Sequence, residues 1–263
     1  MIKNIAIVSL SRGVAGEAFA QHEVEIGLQR LAGYGVNVRF MPNARRGIDY
    51  LTAHPEARAA DLLQAFRDPE VDMILCAIGG DDTYRLLPYL FDHDELRRAV
   101  TGKVFLGFSD TTVNHMMLHK VGLPTFYGQA FLPDVCELGP AMLPYTERYF
   151  AELLRTGTIR EVTPSDIWYE SRTDFSPSQI GIAPPRTPMM AFSFCRAVLH
   201  FPGKFSAAAL THSMISSMVR GMQICRSSAE NTTFSPRLRT GRAKFCCWKP
   251  ARSGCRQKNT ARL

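Results

Sequence analysis

Short apolar runs alternate with helical patterns from the N-terminus to about residue 160, and this alternation constrains the fold more than any other feature. Residues 4–10 predict a first buried strand. Glu23 to Leu31, with Val24, Leu28 and Leu31 at helical spacing, predicts a helix that ends at Gly33 and Gly35. Val36 to Met41 alternates as a second strand. A helix follows from Pro55 to Phe66, with Leu62, Leu63 and Phe66 on one side, and Met73 to Ile78 forms the core of a third strand. Val104 to Leu106 opens a fourth strand, Pro124 to Gly128 reads as a fifth, and Pro144 to Leu154 as a helix. Strands and helices at this interval imply βαβ units and a mostly parallel, flavodoxin-like α/β sheet. Ligands of such sheets bind beyond the carboxyl ends of the strands.

Two consecutive strands end there in chemically suggestive turns. The third runs into Gly79-Gly80-Asp81-Asp82-Thr83-Tyr84-Arg85, and the fourth into Gly107-Phe108-Ser109-Asp110 followed by a helical pattern. A Gly-Gly turn lets backbone N–H groups approach a ligand with no Cβ in the way. Beside a nucleophile such donors can form an oxyanion hole, or the glycines can simply make a tight strand-to-helix turn. Ser109 likewise has two readings. At a strand–turn–helix junction it is either a nucleophile held over the sheet edge or an ordinary helix N-cap.

Taken together, Ile78-Gly79-Gly80-Asp81-Asp82-Thr83-Tyr84-Arg85-Leu86-Leu87-Pro88, then Gly107-Phe108-Ser109-Asp110-Thr111-Thr112, then Thr125-Phe126-Tyr127-Gly128, resemble the LD-carboxypeptidase family over roughly residues 4–181. That family comprises murein tetrapeptide carboxypeptidases and microcin C self-immunity peptidases. The resemblance implies a cytoplasmic serine peptidase, often dimeric, with no cofactor and no metal. Its substrate would be a peptide or peptidyl-nucleotide, cut at the amide next to a C-terminal residue by a Ser–Glu–His triad. Ser109 would be the nucleophile, and Gly79, Gly80, Asp81 and Asp110 would line the oxyanion and substrate site, with the Asp110 backbone N–H as one donor. His115 and His119 lie six and ten residues past Ser109 and are expected to pack or face solvent rather than act as base.

The family's Glu and His belong to a C-terminal domain, and there the sequence departs from the pattern. Three regions are expected: an α/β nucleophile domain over 1–160, a crossover and linker over 161–188, and a degenerate remnant over 189–263. Residues 181–188 are linker-like in composition, and beyond them no period of 3.6 or 2 persists. The charge changes too. Residues 191–263 hold 13 Lys/Arg and one acid, Glu230, whereas the first 190 residues hold 18 basic and 23 acidic side chains. Five of the seven cysteines also fall in this tail.

The genetic code suggests why. Re-read one base earlier, Phe245-Cys246-Cys247-Trp248-Lys249 gives Leu-Leu-Leu-Glu whichever synonymous codons encode it. This matches the family's apolar strand and catalytic glutamate. Met214-Ile215 forces an aspartate, and Met189-Met190-Ala191 forces Asp-Gly. The expectation is a frame change between about Ile180 and Met189, which leaves this copy without the Glu and His of the triad.

Other readings of the tail are weaker. Cys246, Cys247 and Cys255 with His212 contain no C-x-x-C pair and make a poor zinc set. A disulfide scaffold conflicts with the cytoplasmic expectation. A non-enzymatic fragment whose basic tail binds nucleic acid without sequence preference is the alternative function. With 46% apolar residues and a mean hydropathy of −0.09, the composition is that of a soluble globular protein. No run is long enough to span a membrane, and the first strand does not resemble a signal peptide.

Overall fold

The structure is a computed structural model and describes residues 1–188. Five strands form one parallel sheet: β1 (Asn4–Val8), β2 (Asn37–Phe40), β3 (Met73–Cys76), β4 (Val104–Gly107) and β5 (Phe126–Tyr127). Their order is β2-β1-β3-β4-β5, the flavodoxin-like arrangement expected from the sequence. In that order the strand sequence switches direction between β1 and β3, the place where such sheets offer a crevice over the carboxyl ends of their strands.

The helices are α1 (Gln21–Gly33), α2 (Ile48–Ala53), α3 (Pro55–Arg67), α4 (Leu87–Phe91), α5 (Glu95–Ala99), α6 (Thr112–Lys120) and α7 (Pro144–Thr156). Alternate residues of each strand point to opposite faces, so the sheet builds two separate apolar layers. Ile5, Ile7, Met73, Leu75 and Leu106 pack with Val24 and Leu31 of α1 and with Tyr149, Phe150 and Leu153 of α7. Ala6, Val8, Ile74, Cys76 and Phe105 pack with Leu62 and Phe66 of α3, Leu90 of α4 and Val113 and Met117 of α6. Each fully buried Ile, Leu or Phe in these layers contributes about 1.5–3 kcal/mol. The central strands are therefore apolar throughout, while β2, at the sheet edge, leaves Asn37 and Arg39 exposed.

Several strands are shorter than their apolar runs. Ser9 and Leu10 leave the ladder after Val8, and Ala77 and Ile78 leave it after Cys76, so both ends are free to turn. Beyond α7, β6 (Ile167–Tyr169) pairs antiparallel with β7 (Arg186–Pro188). The linker-like composition of 181–188 thus conceals a strand, whose one proline, Pro188, is compatible with a two-stranded edge. This segment is fastened to the first unit by a largely buried ion pair, Arg172 to Glu137 at 2.6 Å, and by the Gly181 N–H to the Leu138 carbonyl. The stretch expected to follow the frame change, with the tail cysteines and the basic residues, falls in 189–263 and lies outside the described residues.

Candidate active site

The loops that follow β1, β3 and β4 meet at the carboxyl edge of the sheet. Parallel pairing of β1 with β3 and of β3 with β4 brings Ser11, Gly79 and Ser109 to one edge, although the chain separates them widely. Ser109 has φ of +68°, a left-handed backbone that L-residues seldom adopt and that costs about 1–2 kcal/mol. Its side chain makes no capping hydrogen bond: the helical turn that starts there is preceded by Phe108, α6 by Thr111, and neither end has a side-chain cap. The junction is stitched instead by Thr111 and Thr112, whose hydroxyls donate to the Phe108 and Ser109 carbonyls. The Ser109 N–H donates to the Tyr127 hydroxyl at 3.3 Å. Among the described residues, Ser109 Oγ has no hydrogen-bond partner.

Gly79 lies directly against the serine. A Cβ there would stand 2.7 Å from Ser109 Cβ, 3.1 Å from its Oγ and 3.2 Å from the Asp110 backbone nitrogen. At Gly80 a Cβ would meet Ser11 Oγ at 2.1 Å and the Arg12 nitrogen at 3.0 Å. Neither position has room for a side chain. The Gly79 carbonyl accepts from the Arg12 N–H at 3.3 Å, tying the β1 and β3 loops together.

A closed polar layer supports these turns. Asp110 is 2% exposed, and its Oδ2 accepts from Ser11 Oγ at 2.6 Å and from the Thr83 N–H at 2.9 Å. Burial pushes its carboxyl above the usual range, against the lowering effect of those two donors. Asp82 is held bidentately by Arg58, at 2.7 and 3.0 Å, and Arg58 also donates to the Leu10 and Ser11 carbonyls. Arg58 is fully buried, with Nε lacking a partner.

The expected site residues therefore divide. Ser109, Gly79, Gly80 and the Asp110 backbone come together, while the Asp110 carboxylate faces away into the supporting layer. Asp81 is exposed at the lip of a neighbouring cavity of about 470 Å³. Arg12, Ile48 and Thr52 of α2, Tyr84 and Arg85 line the same cavity, and Ser109 does not.

His115 does not serve Ser109. It is fully buried, with Nδ1 against Thr125 Oγ1 at 2.8 Å and Nε2 against the Gly107 carbonyl at 3.3 Å. Burial lowers its pKa to about 4, so it is neutral at pH 7. His119 is exposed on α6. No cluster of metal-ligating side chains occurs among the described residues, and no helix there is long and apolar enough to cross a membrane.

Ser11 and Arg58 were not marked in the sequence as site neighbours, and Tyr127 appeared only within a motif that carries the resemblance. Arg58 did leave one trace, since it lies four residues before Leu62 on the buried stripe of α3.

Residues 5–128 match the model of the LD-carboxypeptidase N-terminal domain. The murein tetrapeptide carboxypeptidase of Pseudomonas aeruginosa is 32% identical over 111 residues, which are 42% of this chain and 36% of that protein. The microcin C7 self-immunity protein MccF of Escherichia coli is 29% identical over 134 residues, 50% of this chain and 38% of its own. Among solved structures, an MccF-like protein from Streptococcus pneumoniae in complex with AMP superposes with a TM-score of 0.71 at 57% identity. It covers 72% of this chain and 55% of the other. MccF in complex with aspartyl sulfamoyl adenosine shares the fold, with a TM-score of 0.57 over 71% of this chain and 55% of that one. The chain spans less than half the length of the curated relatives it matches. Residues 5–128 thus carry an LD-carboxypeptidase N-terminal domain.

Proposed function

We propose that this chain carries the nucleophile half of a serine hydrolase that cleaves the amide next to a carboxy-terminal residue. Murein tetrapeptides and microcin-type peptidyl-nucleotides are the substrate classes suggested by its relatives. The observation that carries this reading is Ser109 itself. It holds a strained left-handed backbone at the strand–helix junction and makes no capping bond, with its Oγ uncommitted against Gly79. Strain of this kind persists where the surroundings over-determine it, commonly at functional positions.

In the reaction, Ser109 Oγ attacks the carbonyl carbon of the terminal amide and yields its proton to a base. The negative charge gathers on the former carbonyl oxygen, within reach of the Gly-Gly turn and the Asp110 N–H. Collapse expels the terminal residue as an amine, and water then releases the acyl group from Ser109. A serine hydroxyl is a poor nucleophile until a base takes its proton. Among the described residues no histidine or carboxylate bonds to Ser109 Oγ, and His115 is committed to Thr125 and Gly107. We read the copy as deficient in turnover, because past the proposed frame change the codons that match the family's Glu are read as Trp248 and Lys249.

Mass spectrometry of D-alanine release from a murein tetrapeptide tests both parts. The chain as it stands should release no more than its Ser109→Ala variant. Restoring one base between the codons of Ile180 and Met189 should produce a hydrolase that loses activity on Ser109→Ala. Normal turnover by the unaltered chain would overturn the deficiency, and a restored chain indifferent to Ser109→Ala would overturn the nucleophile.

A further inference from the structure

The geometry points to the cavity beside the Gly79-Gly80 turn as an anion subsite, in which Arg12 takes the free carboxylate of the peptide terminus; this rests on the hydrolase reading above. At about 470 Å³ the cavity is of small-ligand size, and Ile48 and Tyr84 supply apolar and aromatic wall.

The charges within it are unequally committed. Asp82 is gripped by Arg58 from below, and Arg85 donates to the Thr52 carbonyl at 2.5 Å while standing 3.4 Å from Asp82. Arg12 is different. It is exposed, and its guanidinium has no hydrogen-bond or ion-pair partner among the described residues. Counting Arg58, which pairs with Asp82 from beneath the lining, three guanidiniums stand with the two carboxylates of Asp81 and Asp82. One positive charge remains, which matches a single carboxylate. A guanidinium also meets a carboxylate through two parallel N–H donors, which fixes orientation as well as charge.

Placement supplies the second argument. Gly79 backs onto Ser109, and Gly80 backs onto Ser11 and the Arg12 nitrogen. The backbone of Arg12 and the nucleophile thus adjoin consecutive glycines of the one turn. A carboxypeptidase substrate has that interval between its scissile carbonyl and its terminal carboxylate. The Arg12 backbone is tied to the turn by its bond to the Gly79 carbonyl, so the side chain springs from the rim of the same turn.

Calorimetric titration of the full chain tests this without requiring turnover. The probes are a murein tetrapeptide ending in D-alanine, the same peptide as its C-terminal amide, and AMP. The acid should bind about tenfold to a hundredfold more tightly than the amide, the range of a hydrogen bond to a charged group. Arg12→Ala should remove that preference and leave the amide's affinity unchanged, and Arg12→Lys should recover part of it. If Arg12→Ala keeps the full preference for the acid, the subsite is overturned while the hydrolase reading stands. Arg12-dependent binding of AMP with none of either peptide would make the anion a phosphoryl group and overturn the carboxylate. Binding of none of the three would remove the substrate class, and the subsite with it.

Discussion

The rim of the site and the layer beneath it are built from neighbouring residues but use their polar atoms in opposite ways. Ser109 and Asp110 are consecutive. The serine leaves Oγ without a hydrogen bond on a strained backbone, while the aspartate is buried with two donors on one carboxylate oxygen. Asp81 and Asp82 differ in exposure: the first is exposed at the cavity lip, and the second is part-buried and chelated by Arg58. Polar groups bonded to one another hold the three loops in register. Ser109 Oγ, above them, can meet a ligand without first breaking a bond to a described residue. Positional precision at the rim depends on closure of the layer below.

The largest effect should come from opening that layer. Arg58→Ala removes a fully buried guanidinium and strands Asp82 together with the carbonyls of Leu10 and Ser11. Breaking a buried ion pair from one side costs about 3–5 kcal/mol. The value here should fall near the lower bound, since Arg85 also approaches Asp82. Urea denaturation measures it, and a loss under about 1 kcal/mol would mean that the loops hold without Arg58.

His115 offers a test by pH. Its pKa of about 4 lies below the unfolded value near 6.5, so the unfolded chain binds the proton more readily. Stability should therefore be complete above about pH 6.5 and fall as pH drops toward 4, by up to about 3 kcal/mol. Asp110 acts in the opposite sense. Burial raises its carboxyl, so the native state takes up its proton more readily and stability falls as pH rises past the unfolded carboxylate range. Comparing His115→Gln with the parent across pH isolates the histidine: the acid-side loss should flatten in the variant.

Much of this architecture was legible because periodicity reports burial. The runs around Ile5, Ile74 and Phe105 predicted parallel strands, and the sheet order bears out the flavodoxin-like reading. The two glycine turns were visible as well, since Gly79 and Gly80 are required by contacts that no side chain could share. The supporting layer was not legible. Ser11 and Asp110 are 99 residues apart and meet only through strand pairing. Arg58 resembles any helical arginine until its stripe is seen to face the core. The strand at Arg186–Pro188 was hidden by proline, which composition assigns to a linker but an edge pairing accommodates.

Gly79 is where rim and layer touch, and a methyl group there should perturb both. Gly79→Ala places a carbon 2.7 Å from Ser109 Cβ, so the serine or the turn must shift. Overpacking of this kind costs about 1–3 kcal/mol, which a urea midpoint at unchanged m-value would register. An unaltered midpoint would mean that the two turns are not in register as described.

The smallest expected change has the opposite sign. Ser109→Gly removes a side chain from a left-handed backbone that glycine adopts freely, and gives up no capping bond because Ser109 makes none. Relief of strain is offset in part by the greater freedom of glycine in the unfolded chain, leaving a net gain of about 1 kcal/mol. A serine retained only for structure would lose stability on this change, so a gain ties the residue to the uncommitted rim. The same variant removes the atom that Gly79→Ala would strike. In a double-mutant cycle, the cost of Gly79→Ala should accordingly shrink by about 1 kcal/mol when Ser109 is already glycine. Strict additivity would instead mean that the methyl group is resisted by the Asp110 backbone, 3.2 Å away, and that the rim is braced by the layer rather than by the serine.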